Sequence, residues 1–290
     1  MVPGTASSPG LGIPGFGSDL GERGYPDDAF QRTLDTALKA MGVGGNPPGG
    51  RPGSLLFLLP ALCCEAAGGE SATAAPIVEA WTGLYAVAHL LDMVEDGDLI
   101  PAWAGMPGRS INLATGLIFR TELLLARLED HGIPRGCARQ LRERFNQSIL
   151  HMCAGQDLGF SSLEPTLETA WQIADAKSGS FFELGCVAGA RLATRSKKVL
   201  HAFADFGFAV GRLVQIGDDL KDLSVGENGD LATGHWGLPL AYAMQALPDE
   251  KKKHLGMLVT NAWSDVQAQD EARRMILESG ARVYLRSWRN

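Results

Sequence analysis

Apolar residues recur every three to four positions through most of the chain, and this spacing predicts amphipathic α-helices. The intervals with this pattern are 28–42, 53–67, 72–96, 110–130, 135–154, 165–193, 197–222, 236–246, 249–262 and 266–285. Pro134, Pro165 and Pro248 stand at predicted helix starts, where the fixed φ and missing N–H of proline are tolerated. No stretch alternates as a β-strand does and no segment repeats, so the sequence predicts an all-α fold.

Two segments rich in glycine and proline interrupt the helical pattern. Residues 1–24 lack a basic stretch followed by an apolar core, so they predict a flexible tail and not a signal peptide. Residues 44–53 form the second break. We expect residues 25–290 to form one helical domain, because α-helical enzymes of this length often have a single domain.

Composition and charge narrow the class of protein. Hydrophobic residues make up 45% of the chain, the mean hydropathy is −0.01, and no apolar run reaches about 18 residues, which predicts a globular protein without a membrane span. The net charge of −7 argues against a nucleic-acid partner and favours a cation-dependent site. The five cysteines have no metal-ligand spacing, and their odd number suits a reducing cytoplasm.

An acidic sequence ends the long apolar segment that begins near Val199. Asp218 and Asp222 are four residues apart, and Asp219 and Asp222 are three apart, so on a helix we expect the three carboxylates to crowd one face. Oxygen ligands without histidine or cysteine favour Mg²⁺. For a single such cluster, a solvated acidic face is the commoner alternative.

A second acidic cluster changes that balance. Asp92, Glu95 and Asp96 end the apolar segment 77–91, and they also place two or three carboxylates on one helical turn. Two such helix ends predict a site in which Mg²⁺ ions lie between facing helices. Their natural ligand is a diphosphate, whose charge the metal neutralises and whose departure it favours.

These residues resemble the trans-isoprenyl diphosphate synthases, or polyprenyl synthetases. The second aspartate motif of that family is matched from Gln215 to Asp222, and the first is matched imperfectly from Asp92 to Asp96. Further matches follow in the family's order: Gly49 to Pro52, Gly155 to Leu158, Lys177 to Phe182, Gly229 to Leu231 and Gly237 to Pro239. The resemblance covers about residues 27–285.

The resemblance implies a single-domain isoprenoid synthase fold, a helical bundle around a central cavity. It implies a cofactor of about three Mg²⁺ ions, held by the carboxylates of both clusters. It also implies a homodimer, with the apolar hairpin of residues 110–154 as the interface. Lys177 would contact the diphosphate, and Gln215 would orient the second metal cluster.

Departures from the family concern the site for the second substrate, isopentenyl diphosphate. Arg51 is kept in the glycine loop, but Pro48 stands where the family has a lysine and Tyr85 where it has histidine or glutamine. No arginine lies between Asp98 and Pro107. Each lost charge-assisted hydrogen bond weakens diphosphate binding by about 1.5–3 kcal/mol.

The residues that would ionise the first substrate match the family more closely than those of the second-substrate site. Met93 replaces one aspartate of the first motif, a variant that resembles the motif of squalene synthases. His235 occupies the family's lysine position before Leu-Pro, so its contact with phosphate would depend on pH. Arg51 or His235 would hold the diphosphate together with Lys177.

The apolar residues that precede the first cluster predict the pocket for a hydrocarbon tail. The family often places its chain-length stops at the positions of Val87 and Ala88, and their small size suggests allylic substrates of about 15 to 25 carbons. Tyr85 and Phe181 are candidates for stabilising a carbocation through their rings. Core packing is the more common role for each of these residues.

Three hypotheses follow. The first is a terpene synthase that ionises one allylic diphosphate and lets internal double bonds or water quench the cation. The second is a chain-elongating prenyltransferase whose acceptor site uses other arginines, with Arg109, Arg120 and Arg212 as candidates. The third is a non-catalytic subunit that acts through a helical dimer interface with an active partner.

Overall fold

The structure is a computed structural model, and it describes residue 33 and residues 55–97, 99, 103–162, 166–223, 237–262 and 264–288. Within these ranges every regular element is helical, as the sequence predicts. The tail 1–24 and the break 44–53 lie outside the described residues, and so does the predicted helix 28–42 apart from Thr33.

Helices make up most of the described residues. In chain order they are α1 Leu59–Ala66, α2 Ala75–Glu95, α3 Pro107–Ala126, α4 Arg135–Ser161, α5 Leu167–Ala174, α6 Ser180–Ala193, α7 Lys197–Asp222, α8 Leu238–Ala246, α9 Asp249–Asn261, α10 Val266–Glu278 and α11 Ala281–Ser287. Short 3₁₀ segments cover Leu55–Leu58, Ser71–Ala74 and Leu128–His131. A π-helical segment, Asp175–Gly179, joins α5 to α6.

The structure corrects some predicted boundaries. The predicted helix 266–285 is broken at Gly280, whose φ of +90° suits glycine and starts α11. The third helix begins earlier than residue 110, because Pro107 takes a first-turn position. The fourth helix continues past residue 154 to Ser161. The predicted helix 165–193 contains the π-helical segment, which periodicity alone does not signal.

Helix α6 lies at the centre of the bundle, and glycines allow its neighbours to approach closely. A Cβ on Gly185 would lie 2.7 Å from the Trp81 ring of α2, and one on Gly189 would lie 1.9 Å from the Pro60 carbonyl oxygen of α1. On α7, a Cβ on Gly211 would lie 2.2 Å from the carbonyl oxygen of Ser178. Larger residues at these positions would force the helices apart.

This packing sets the ends of α2 and α7 beside the π-helical segment. Lys177 Nζ lies 3.2 Å from Asp92 Oδ1 at the end of α2. Ser178 Oγ lies 2.6 Å from Gln215 Oε1 on the last turns of α7. Two acidic helix ends that are far apart in sequence therefore flank one short segment.

By length and composition alone, Ser71–Glu95 and Lys197–Asp222 could cross a membrane, a property that core helices of soluble proteins share. The first segment contributes the buried Trp81 to the protein core. The second packs on α6 through Gly207 and on the π-helical segment through Gly211. The absence of a membrane span stays a prediction.

Candidate active site between two acidic helix ends

Asp92 and Lys177 form the central ion pair of the candidate site. Asp92 lies on the last turn of α2 and Lys177 in the π-helical segment, with 3.2 Å between Oδ1 and Nζ. Both side chains are partly buried. A lysine at this point places a positive charge beside the first acidic cluster, where a diphosphate would also need one.

The other carboxylates of the first cluster lie at the same helix end. Glu95 accepts a short hydrogen bond from the Gln156 amide of α4. Burial and the Asp92 charge raise the pKa of Glu95 above its ordinary value. Asp96 caps the C-terminus of α2, and its backbone N–H donates to the Asp92 carbonyl over 2.8 Å. The structure thus brings Asp92, Glu95 and Asp96 together, as the sequence predicts.

Asp218 and Asp222 form the second cluster at the C-terminus of α7. Asp218 is exposed and Asp222 is partly buried. Partial desolvation and the neighbouring Asp222 charge raise the pKa of Asp218, and burial raises the pKa of Asp222. Desolvation and a neighbouring negative charge both disfavour the ionised form of a carboxyl group.

Asp219 departs from the expectation that all three carboxylates share one face. It is buried, and its oxygens accept from the Gln215 amide over 2.6 Å and from the Leu238 backbone N–H over 2.7 Å. Burial raises its pKa to about 6. Because both oxygens are engaged and Leu238 begins α8, these contacts favour an anchoring role over metal binding. The metal role of Asp219 stays a prediction.

Gln215 connects the second cluster to the π-helical segment. Its side-chain oxygen accepts from Ser178 Oγ over 2.6 Å, while its nitrogen donates to Asp219. The predicted orienting role of Gln215 has this physical basis. Ser178 belongs to the family motif from Lys177 to Phe182, and its contact with Gln215 depends on the packing of α7 against the π-helical segment.

Tyr85 faces the space between the two clusters. Burial and the charges of Asp218 and Asp92 raise its pKa, so the phenol stays neutral. Its ring stacks on His89 at 5.7 Å between centroids. His89 is a site residue that the sequence analysis missed, although it stands one helical turn before Asp92 on the same helix.

The predicted pocket residues have different surroundings. Phe181 is 6% exposed and stacks on Trp81 at 4.5 Å, so it belongs to the protein core. Val87 is 5% exposed and belongs to an apolar cluster shared with Leu113 of α3. Ala88 is partly buried. Substrate contact by these side chains stays a prediction.

The described arginines that are candidates for binding a second diphosphate contact other side chains. Arg120 pairs with Glu79 and Arg109 lies over the Trp103 ring. Arg212 makes two hydrogen bonds to one carboxylate, described below. Arg51 and His235 lie outside the described residues.

The donor set fits Mg²⁺ that is bound together with a phosphate group. Within the described ranges, no three acidic, histidine or cysteine side chains converge closely enough to enclose a metal ion by themselves. Mg²⁺ commonly takes one or two carboxylates and completes its shell with phosphate oxygens and water. Asp92 and Asp218, one from each helix end, supply hard oxygens for that arrangement.

A family model described as polyprenyl synthetase matches residues 54–276. The chain belongs to the polyprenyl synthetase family. Membership of this family supports an enzyme that binds a prenyl diphosphate and uses a divalent metal. No curated protein matches the sequence.

Solved structures of polyprenyl synthetases share the fold. A geranylgeranyl pyrophosphate synthetase from Pyrococcus horikoshii is similar with a TM-score of 0.73 and 19% identity, over 91% of this chain and 82% of that one. A decaprenyl diphosphate synthase from Rhodobacter capsulatus has 0.74 and 15%, over 90% and 81%. A Caulobacter crescentus polyprenyl synthase, complexed with calcium and isoprenyl diphosphate, has 0.70 and 18%, over 89% and 85%. The fold of this chain is therefore the all-α isoprenoid synthase bundle.

Proposed function

We propose that this member of the polyprenyl synthetase family ionises a single allylic prenyl diphosphate and releases a terpene, as a terpene synthase does. The observation that carries the proposal is that Asp92, which pairs with Lys177, and Asp218 lie on two helix ends and both act on Tyr85. This arrangement suits the departure of one diphosphate. A cation formed there, without an acceptor diphosphate, would react with its own double bonds or with water.

Each residue of the site has a distinct part in this proposal. Asp92, Asp96, Asp218 and Asp222 would hold Mg²⁺, with Glu95 in support. When bound, Mg²⁺ supplies Lewis-acid stabilisation of the leaving diphosphate. Lys177 would donate to a diphosphate oxygen in place of its bond to Asp92. Tyr85 would present a neutral aromatic face to the developing cation.

The basic groups favour ionisation over chain elongation. Tyr85 stands where elongating members of the family have histidine or glutamine, and its phenol is partly buried. The three arginines that could bind an acceptor diphosphate have other partners in the structure. These partners are Glu79 for Arg120, Trp103 for Arg109 and Asp175 for Arg212. Drawing any of them to an acceptor would require breaking a formed interaction.

Chain elongation is the second candidate function. Two of the similar solved structures are named as a geranylgeranyl pyrophosphate synthetase and a decaprenyl diphosphate synthase. Arg51, the basic residue kept in the glycine loop, would serve the acceptor site in that case.

The deciding experiment incubates the purified protein and Mg²⁺ with geranyl, farnesyl, geranylgeranyl or geranylfarnesyl diphosphate, each with and without isopentenyl diphosphate. Released diphosphate and organic products are both measured. We expect a hydrocarbon or alcohol from one allylic substrate of about 15 to 25 carbons without isopentenyl diphosphate.

A longer prenyl diphosphate that appears only with isopentenyl diphosphate would replace the proposal with chain elongation. No turnover by a folded protein would favour a non-catalytic subunit. Adding an active prenyltransferase and measuring its product lengths would then test that third hypothesis.

We also propose a homodimer built on α3 and α4. Phe119 of α3 is 66% exposed and Leu150 of α4 is 70% exposed, and Ile111 is also exposed. Large apolar side chains on neighbouring helices favour burial against another chain.

Phe119→Asp is expected to convert this dimer to monomers, because a charge would replace an apolar contact at its centre. Light scattering coupled to size-exclusion chromatography measures the mass. Phe206→Asp is the matched control, since Phe206 is 53% exposed on α7. An unchanged dimer mass for Phe119→Asp would rule out this interface.

A further inference from the structure

We infer that Arg212 is a positioning residue that sets the place of Lys177 by clamping the π-helical segment. The assignment of Lys177 to the diphosphate rests on the proposed function, whereas the clamp itself rests on contacts within the chain. The sequence predicts Arg212 only as a candidate donor to a second substrate. Its contacts instead point to a role within the protein.

Three polar residues of the π-helical segment have three different partners. Asp175 binds Arg212, Lys177 binds Asp92 and Ser178 binds Gln215. A π-helical segment inserts an extra residue into a helix, is uncommon and often lies at functional sites. Here side chains within four residues of the segment contact both α2 and α7.

One face of α7 holds this segment. Phe208, Gly211, Arg212 and Gln215 follow the spacing i, i+3, i+4 and i+7, so they share a face. The backbone of the segment presses directly on Gly211, where a Cβ would lie 2.2 Å from the Ser178 carbonyl oxygen. Phe208 packs in the same way on Gly179. Arg212 and Gln215 therefore bracket the segment from its two ends.

Arg212 is itself held tightly. Its Nε and one terminal nitrogen donate to the two oxygens of Asp175 over 2.6 and 2.7 Å, a bidentate pair. The guanidinium carbon lies 5.3 Å from the Trp171 ring centroid, 5.0 Å from that of Phe208 and 5.5 Å from that of Trp288. These rings come from three different parts of the chain and fix the plane of the guanidinium.

Lys177 lies two residues after Asp175, so the clamp controls where its stem leaves the backbone. If the Asp175–Arg212 pair is lost, the segment has less to keep its π-helical form, and Lys177 is expected to lose its place beside Asp92. A lysine held at one point is more useful to a leaving diphosphate than a mobile one, because it requires no reorganisation during the reaction.

The test uses NMR of the full chain after reductive ¹³C-methylation of lysines. The chain has eight lysines, so the Lys177 signal can be assigned by its loss in Lys177→Arg. We expect Arg212→Gln and Arg212→Lys to move this signal toward those of exposed lysines, because neither side chain reproduces the two-nitrogen fork. Asp175→Asn removes the same pair without truncating the arginine and should have the same effect.

Arg144→Gln is the matched control. Arg144 and Glu183 form a partly buried ion pair of 2.5 Å between α4 and α6, and neither residue contributes to the Asp175–Arg212 pair. This variant should leave the Lys177 signal unchanged. An unmoved signal in folded Arg212→Gln or Asp175→Asn would overturn the inference, whether or not the protein turns over a prenyl diphosphate.

Kinetics provide a second, independent readout. Arg212→Gln is expected to lower kcat/KM for an allylic diphosphate about 10- to 100-fold. In a Lys177→Ala background, the same change should cost less than about twofold, because the residue acts through Lys177. Equal losses in both backgrounds would contradict the inference. An absence of turnover in the wild type would count against the proposed function alone, and the NMR result would still decide the clamp.

Discussion

Asp218→Asn is expected to lower kcat/KM for ionisation of the allylic diphosphate about 10³-fold, or about 4 kcal/mol of transition-state stabilisation. Asparagine keeps the size of the side chain but removes the charge that would bind Mg²⁺. Asp218 is exposed at the end of α7. Diphosphate release from the allylic substrate that the wild type turns over measures the effect.

Asp205→Asn is the control for this prediction. Asp205 lies on the same helix, about 20 Å from Asp218 along its axis, and is exposed. Its replacement should change kcat/KM by less than about twofold. Removal of divalent metal with a chelator should abolish activity in the wild type, and added Mg²⁺ should restore it. Full activity of Asp218→Asn would remove the second acidic cluster from the proposed mechanism.

Asp219→Ala is expected to lower the free energy of unfolding by about 2–4 kcal/mol. It would leave the Leu238 backbone N–H and the Gln215 amide without their buried acceptor, and each such loss costs about 1–3 kcal/mol. Release of a buried carboxylate, whose pKa is raised to about 6, offsets part of this loss. Urea unfolding monitored by circular dichroism gives the difference.

Asp219→Asn separates anchoring from metal binding. Asparagine retains an acceptor for Leu238, so we expect a loss of less than about 1.5 kcal/mol in stability. If Asp219 anchors α8, this variant should keep activity within about tenfold of the wild type, far above Asp218→Asn. A loss of activity as large as that of Asp218→Asn, in a stable protein, would instead make Asp219 a metal ligand.

The helical pattern and both acidic clusters were predictable from the sequence because each depends on local spacing. Periodicity fixed the apolar faces of α2 and α7, and the intervals within Asp92–Asp96 and Asp218–Asp222 placed carboxylates on adjacent turns. The order of motifs predicted the family, which the match over residues 54–276 confirms. Predictions that concern Arg51 and His235 fall outside the described residues.

Spacing could not tell which way each side chain of a cluster would face. Asp219 is as close in sequence to Asp222 as a partner should be, yet it turns inward because α8 presents a backbone N–H there. Phe181 belongs to a family motif but packs on Trp81, whose indole N–H donates to the Phe181 carbonyl oxygen over 2.9 Å. The orientation of each side chain depends on which helix packs against it.

The sequence by itself determined the helices, the two acidic helix ends and the family, since these follow from short-range periodicity and motif order. Tertiary structure decided that Lys177 pairs with Asp92, that Asp219 accepts from the backbone N–H at the start of α8, and that Arg212 pairs with Asp175 in the π-helical segment. Each of those contacts joins residues 19 to 85 positions apart. Their formation depends on the glycine-mediated approach of α6 and α7, which local periodicity does not encode.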